Sequence, residues 1–560
     1  MEVGFPIYHI DRSLILRRFV TLGLDLFVTA YRRGIFNFND SEILSRLEPM
    51  VSVIGNTLYS NNGNVASSGL KAISQIIKSP LKSVEESLPV FVRQTFAIIR
   101  QTGSTESDLT QTAFKTLAVM IRDHSSSQVK EKDLIFLLEL VTPDLEEVSR
   151  QATAFSLLRA IVSRKFVVPE IYDVMDKVRE IMVTAQSPQV QELCRGVMLQ
   201  FLLDYPQGKG RLKQNFAFLV KNLSYVFETG RLSVMELLSA IISKFNDDII
   251  AEYGDMLFVA LVMVIGNDES TKCREAAAQL IKSLVARLNA EQRKQILSHI
   301  HSWASQDSNP TLIQVSMQSY GLMVESLKDD MIPDIPLLLR DVNEVVKNAA
   351  NSLEEADEND SAMIDEGWQS PYQALMVLTK VFQNFPDLLS NFEAVSWAPI
   401  VSLLLYPHTW VRTASCRLLG SLFSVQQVAI PDSKKSDDFP LSHKGMFKTV
   451  DYLSMQLKSK NLDDALSLQI VKNMFYIGKC FYVASTEQGD KEEEDESHDE
   501  HPAATEDDSD NEDDDMPDKE KHEHSPLPWL FSRLSFQMRS AHIARRNKKV
   551  EMVRPLGHIQ

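Results

Sequence analysis

Pro407-His-Thr-Trp-Val411-Arg412-Thr-Ala414-Ser-Cys416-Arg-Leu418-Leu419-Gly420-Ser-Leu422 is the stretch that decides the fold. It reads as the second helix of an antiparallel pair, opened by the Val411-Arg412 step. Small Ala414 and Cys416 allow close approach to the first helix of that pair, and Gly420 lets a neighbouring helix pass near. Asp268 to Leu284, with Cys273-Arg274-Glu275-Ala276-Ala277-Ala278, is a second copy of the pattern. Such helices need small residues where backbones cross and carry no chemistry of their own.

Outward from these two copies, most of the chain reads as amphipathic helices of 14–20 residues between short polar breaks. In Glu147 to Ile161 the apolar face is expected at Val148, Ala152, Phe155 and Leu158. The first apolar residues of the recurring helices are Val65, Leu109, Val148, Val190, Leu232, Cys273, Leu312, Tyr372 and Val411. Seven of the eight separations lie between 39 and 44 residues. The eighth, 60, contains the acidic run Glu354–Glu366, which reads as a loop insertion. A second helix fits between anchors, as in Val84–Gln101 or Glu170–Ala185. Two helices per about 40 residues is the period of HEAT and armadillo arrays. The expected fold is therefore all-α, a HEAT/armadillo-like α-solenoid, a superhelix of antiparallel helix pairs.

The solenoid is expected over residues 1–425, closing helices over 426–485, and a disordered acidic linker over 486–525. An amphipathic basic helix over 526–546 and a tail over 547–560 complete the chain. In the basic helix Leu527, Leu530, Phe531, Leu534 and Met538 form one stripe, expected to dock onto the body or onto a partner. At the other end, Asp11 to Tyr31 is apolar on several sides, whereas a terminal cap should be polar outside. More solenoid is therefore expected before residue 1.

The net charge of −18 needs dividing before it is interpreted. Residues 490–523 carry −16, residues 524–560 carry +6, and the run Glu354–Glu366 carries −7. The remaining body is almost neutral, so the total charge reports a linker and leaves nucleic-acid contact open. The longest apolar run, Met256 to Ile265, is far shorter than the about 20 residues that span a bilayer. The N-terminus is interrupted by Asp11, Arg12, Arg17 and Arg18, so no signal-peptide core forms. Cys194, Cys273, Cys416 and Cys480 show no paired spacing and read as reduced, buried residues of an intracellular protein.

No catalytic constellation, cofactor-binding motif or metal-ligand set is legible, and no enzyme activity, membrane or small-molecule partner is expected. Gly208-Lys209-Gly210 lacks the spacing of a phosphate-binding loop and reads as a helix junction. His299 and His301, two apart on a helix, point away from a common face. His498, His501, His522 and His524 sit in the acidic linker and read as solvated. That linker admits three readings: a spacer, a mimic of nucleic acid, or an acidophilic-kinase substrate. For the last, Ser497, Thr505 and Ser509 each have an acid three residues on. The basic end is more informative: Arg533, Arg539, Arg545, Arg546, Lys548 and Lys549 are the candidate RNA contacts, since clustered cations bind phosphate through counterion release. A nuclear import signal or plain tail is the competing reading. Arg17-Arg18 and Arg32-Arg33 form a weaker candidate patch.

One likeness carries further. Val168-Pro-Glu-Ile-Tyr-Asp-Val-Met-Asp-Lys-Val-Arg-Glu-Ile-Met-Val-Thr-Ala-Gln-Ser-Pro-Gln-Val-Gln-Glu-Leu-Cys-Arg195 is one part of it. Phe201-Leu-Leu-Asp-Tyr-Pro-Gln-Gly-Lys-Gly-Arg211 and Leu223-Ser-Tyr-Val-Phe-Glu-Thr-Gly-Arg-Leu-Ser233 are others. These stretches resemble the C-terminal region of the down-regulated-in-metastasis family, component twenty of the small-subunit processome. The resemblance runs from near residue 10 to about 480 and resumes from Trp529 through Arg546. It implies a very large HEAT-type protein of the nucleus and nucleolus. That protein would associate with the U3 small nucleolar ribonucleoprotein and support maturation of 18S ribosomal RNA. Pre-ribosomal RNA, processome proteins and the upstream part of its own solenoid are then the implied partners. Family members end in a longer basic tail, whereas this chain ends in the mild Val550-Glu-Met-Val-Arg-Pro-Leu-Gly-His-Ile-Gln560. The expected function is a non-catalytic scaffold. The alternative is a HEAT-repeat protein adaptor such as a nuclear transport receptor or phosphatase scaffold. A hydrolase, the third possibility, would require a deep polar pocket with perturbed titratable groups.

Overall fold

The computed structural model describes residues 11, 13–124, 129–306, 309–355, 367–425, 439–457, 462–495 and 527–535. Every regular element among them is helical. In chain order the α-helices are α1 Leu14–Arg32, α2 Ser41–Asn56, α3 Gly63–Ile76, α4 Lys82–Thr102, α5 Asp108–Asp123, α6 Glu131–Val141 and α7 Gln151–Ser163. There follow α8 Pro169–Thr184, α9 Pro188–Asp204, α10 Gly208–Asn222, α11 Glu228–Lys244, α12 Asp247–Asn267, α13 Thr271–Arg287 and α14 Ala290–Ala304. The last are α15 Pro310–Leu327, α16 Ile335–Glu355, α17 Gln369–Asn384, α18 Trp397–Ser402, α19 Thr409–Val425, α20 His443–Gln456, α21 Asp464–Asp495 and α22, residues 527–535. The helices group into two compact units, Met1–Val264 with Asp268–Leu280, and Ile265–Asn267 with Ile281–Gln560.

Within each unit the packing alternates. In the first, α1, α3, α5, α7, α9 and α11 stack successively, while α2 meets α4 and α6 meets α8. In the second, α15, α17, α19 and α21 form one layer and α14, α16, α18 and α20 the other. This two-layer stacking is what defines an α-solenoid, because each pair buries its remaining apolar face only against the next pair. The odd helices are the ones that carry the 39–44-residue spacing, from Val65 in α3 to Val411 in α19.

The spacing has a physical cause beyond apolar register. Near the start of the odd helices a long side chain reaches back six residues and donates to the carbonyl that ends the preceding turn. Gln111 Nε2 bonds Thr105 O at 2.8 Å, Gln151 bonds Leu145 O at 2.9 Å, and Gln191 bonds Ala185 O at 2.9 Å. Arg231 Nη1 bonds Tyr225 O at 2.8 Å, Arg274 Nη1 bonds Asp268 O at 2.7 Å, and Arg412 Nη1 bonds Tyr406 O at 2.7 Å. These carbonyls would otherwise be unpaired where the chain turns between helices. Arg231 adds a fork onto buried Asp268, at 2.7 and 2.9 Å, tying one turn to the next.

Gln207, at the start of even helix α10, makes the same bond to Phe201 O at 3.1 Å, whereas α4 uses a different device. Leu81 provides no side-chain cap for α4, so Glu48 of α2 accepts from Lys82 N at 3.0 Å and Ser83 N at 3.1 Å. The bonds with Ser83 and Lys82 outweigh burial and hold the Glu48 carboxyl below its ordinary range.

Several expectations are corrected. Val148 is 88% exposed, because residues before Gln151 form a turn held by Arg150 on Asp144 at 2.7 Å, and α7 starts only afterwards. The contact through Cys416 runs along the layer, to α21. Asn473 Nδ2 donates to Cys416 O at 2.7 Å, and a Cβ at Gly420 would overlap Gln469 and Asn473. Helix α21 spans Asp464–Asp495, whereas the closing helices were expected to end at 485. Helix α12 is long and apolar enough by length and composition to cross a bilayer, although its uninterrupted apolar run is short. Its Tyr253 stacks on Phe216 of α10 at 4.2 Å, and Leu257, Phe258 and Leu261 are fully buried, as in a core helix.

Candidate interaction surfaces

Of the six candidate RNA contacts, Arg533 is the one among the described residues; Arg539, Arg545, Arg546, Lys548 and Lys549 lie outside them. So do Ser497, Thr505, Ser509 and the four linker histidines. Helix α22 is seated on α20 and α21. Trp529 stands edge-on to Phe447 at 4.5 Å, and buried Leu530 lies over Gly478, where a Cβ would come within 3.3 Å of it. Arg533 reaches Asp451 at 2.9 Å with a side chain only 16% exposed. Its charge therefore serves this seat. Leu530 faces inward as the stripe required, but Phe531 is half exposed and Trp529 takes its place against the body. Positions 529 and 531 flank 530 by about 100° on either side, and the body covers the 529 side. The apolar stripe signalled docking, and the ion pair had no sequence signal.

Helix α1, the first among the described residues, is open on its outer side. In α1, Leu24, Phe27 and Val28 are buried towards α3, where Ser68 donates to Asp25 at 3.3 Å. On the outer side Ile15, Phe19, Leu22 and Leu26 are 79%, 74%, 61% and 61% exposed. Their i, i+4, i+7, i+11 spacing makes one continuous apolar seam. Arg18, Arg32 and Arg33 are exposed beside it, and Arg17 is half buried.

A third surface is a groove of about 830 Å³ in the second unit. One face of α16 lines it, with Asp341, Glu344, Asn348, Ser352 and Glu355 at three- and four-residue steps. The other side comes from Ser305, Pro310, Gly367, Ser370 and Tyr406. At one end buried Asp341 accepts from Tyr320 OH at 2.7 Å and pairs with His301 Nδ1 at 2.8 Å, and Arg340 sits 3.2 Å from His301 Nε2. Burial, then the Asp341 carboxylate, raises the Tyr320 phenol far above its ordinary range. The Ser305 hydroxyl donates to the His301 backbone carbonyl at 3.0 Å, so it is not placed as a nucleophile on the ring. His299 instead stacks on Trp303 at 6.1 Å, away from His301, as their spacing requires.

Beside Gly367, Ser370 and Tyr406 stands an aromatic wall. Trp368 stacks on His408 with centroids 4.0 Å apart and planes 4° from parallel. Trp410 meets Trp368 edge-on at 5.0 Å and Tyr372 at 5.8 Å, yet is 57% exposed. Neither groove nor wall was legible in the sequence, because distant segments meet there only after the pairs stack.

All four cysteines are buried and unpaired with one another, as their spacing suggested. Burial pushes the Cys194 and Cys416 thiols up to about 12 and Cys480 up to about 11, which suppresses thiolate chemistry. Among the described residues no three His, Cys, Asp or Glu are grouped as a metal ion would need.

No protein-family model matches the chain. It is 33% identical over 462 residues to U3 small nucleolar RNA-associated protein 20 of Schizosaccharomyces pombe, which covers 80% of this chain and 18% of that protein. It is also 33% identical over 384 residues to U3 small nucleolar RNA-associated protein 20 of Saccharomyces cerevisiae, covering 68% of this chain and 15% of that one. The chain thus spans less than a fifth of either relative. Among solved structures, Kap121p bound to Pho4p superposes with a TM-score of 0.51 at 13% identity, over 84% of this chain and 45% of that one. That likeness concerns the helical-repeat fold alone. By the sequence relationship, the chain belongs to the U3 small nucleolar RNA-associated protein 20 family.

Proposed function

We propose that this chain is a non-catalytic scaffold segment in the small-subunit processome, supporting 18S ribosomal RNA maturation in the nucleolus. The observation that carries the reading is the 33% identity, sustained over four-fifths of the chain, to relatives named for association with U3 small nucleolar RNA. The physical form suits that role. A stacked two-layer array presents long side surfaces and joins partners bound at separate places, so that several weak contacts add through effective concentration. In this reading pre-ribosomal RNA meets the basic segment from Arg539 to Lys549, while proteins meet the helical faces.

The bare seam of α1 takes its place in the same proposal as the seat of an odd-layer helix from a further solenoid repeat. Its supports are the odd-layer stacking within each unit and the far greater length of the relatives.

Crosslinking in cells tests the RNA half of the proposal. The tagged chain should recover precursors of 18S ribosomal RNA together with U3 RNA. Recovery of import cargo or phosphatase subunits without either RNA would replace the scaffold by a protein adaptor.

A further inference from the structure

We infer that the groove along α16 is a docking site for an extended Lys/Arg-rich protein segment. The inference stands apart from the particle in which the chain works, because it rests on the groove's own chemistry.

Three observations converge. First, the α16 face is a row of acceptors, with Glu344 and Glu355 at its ends and Asn348 and Ser352 between them, all exposed. Carboxylates bind guanidinium and ammonium groups through charge-assisted hydrogen bonds. An amide such as Asn348 can donate to and accept from one peptide unit of an extended chain. Second, the wall of Trp368, His408, Trp410 and Tyr372 adds an edge-to-face aromatic array on the side of the groove formed by Gly367, Ser370 and Tyr406, across from the acids of α16. A cation over an indole face gains about 0.5–2 kcal/mol depending on desolvation. Third, the charge selects the occupant. The lining cation Arg340 lies 3.7 Å from the Asp341 carboxylate and beside His301, which leaves Glu344 and Glu355 without a cation among the described lining residues. In the sequence between Glu355 and Gly367 stand Asp357, Glu358, Asp360, Asp365 and Glu366, with no Lys or Arg.

An exposed tryptophan wall also suits a nucleic-acid base. Here the phosphates that accompany each base would meet a surface of the same sign, and the basic groove that tracks a backbone is missing from this face. A basic peptide gains from both the rings and the acids, whereas RNA gains from the rings alone.

The test uses the full chain and a fluorescein-labelled dodecapeptide of Lys, Arg and Gly, with its Glu counterpart and an oligouridine as controls. The basic peptide should bind with an affinity that falls as salt rises, and the Glu peptide should not bind. The double substitution E344K and E355K, and separately W410A, should each weaken the basic peptide by about tenfold or more. Both variants alter exposed side chains, so their thermal melting should match that of the parent. Unchanged peptide affinity in both variants would overturn the inference, as would tighter oligouridine binding that W410A abolishes. Tighter peptide binding on removal of residues 539–560 would replace the external partner by this chain's own Arg545–Lys549 segment.

Discussion

Helices α1 and α21 are the first and last odd-layer members among the described residues, and they are finished differently. Helix α21, with α20, carries a short helix from its own chain, Leu530 resting on α21 and Trp529 and Arg533 on α20. Its remaining apolar residues Leu468, Phe475 and Tyr482 are exposed one per two turns, and Lys479 lies over Phe475 at 4.8 Å. Helix α1 exposes four large apolar side chains at helical spacing with no such cover among the described residues. The difference is between a face partly covered by its own chain and a face left open among the described residues. A solenoid surface is therefore informative where the stacking rule is left incomplete, more than where it is obeyed.

The largest break in this comparison should come from the buried side of α1. Leu24→Ala removes a side chain that is 7% exposed and should cost about 2–5 kcal/mol in the first unit, read as a lowered melting temperature. If Leu24→Ala were neutral, α1 would not be anchored to α3. At the sealed end, Leu530→Ala should undock α22 and make residues 527–535 susceptible to limited proteolysis, at an expected cost of about 2–3 kcal/mol. Protection identical to the parent would mean that the ion pair to Asp451 holds the helix unaided. Removing one back-bond within the array should be milder. Gln191→Ala leaves the Ala185 carbonyl without its donor and should cost about 1 kcal/mol, while Gln191→Arg should preserve the bond. Loss of the distinction between Ala and Arg would reduce the repeating bond to a by-product of helix geometry. The smallest change in stability, within about 0.5 kcal/mol, is expected for Phe19→Glu with Leu22→Glu on the bare seam. The same pair should abolish self-association of the isolated chain at high concentration, measured by sedimentation.

Much of the fold was legible because its cause is periodic. The anchors from Val65 to Val411, Val148 excepted, fall in the odd helices, and the 60-residue gap marks the interval that contains Glu354–Glu366. The back-bond was only half legible. Arg412 and Arg274 stood out in the two best copies, but Gln111, Gln151 and Gln191 do the same work without resembling arginine in charge. What the position requires is a long side chain with an N–H six residues beyond a turn carbonyl, and that is a property of geometry. The surfaces were less legible still. The groove depends on α14, α15, α16, α17 and the turn before α19 meeting, and Arg533 joined Asp451 across 82 residues of sequence. The seam of α1 and the docking stripe of α22 were readable in advance, since one helix contains each.

The central claim is that the chain joins a U3-containing assembly through the faces it leaves open. Gradient sedimentation of the tagged chain from cell extracts, with U3 RNA probed in every fraction, tests this most directly. The account predicts that the chain co-sediments with U3 RNA in large particles, and that Phe19→Glu with Leu22→Glu shifts it to the light fractions while its melting is unchanged. A parent chain that remains in the light fractions, away from U3 RNA, would contradict it.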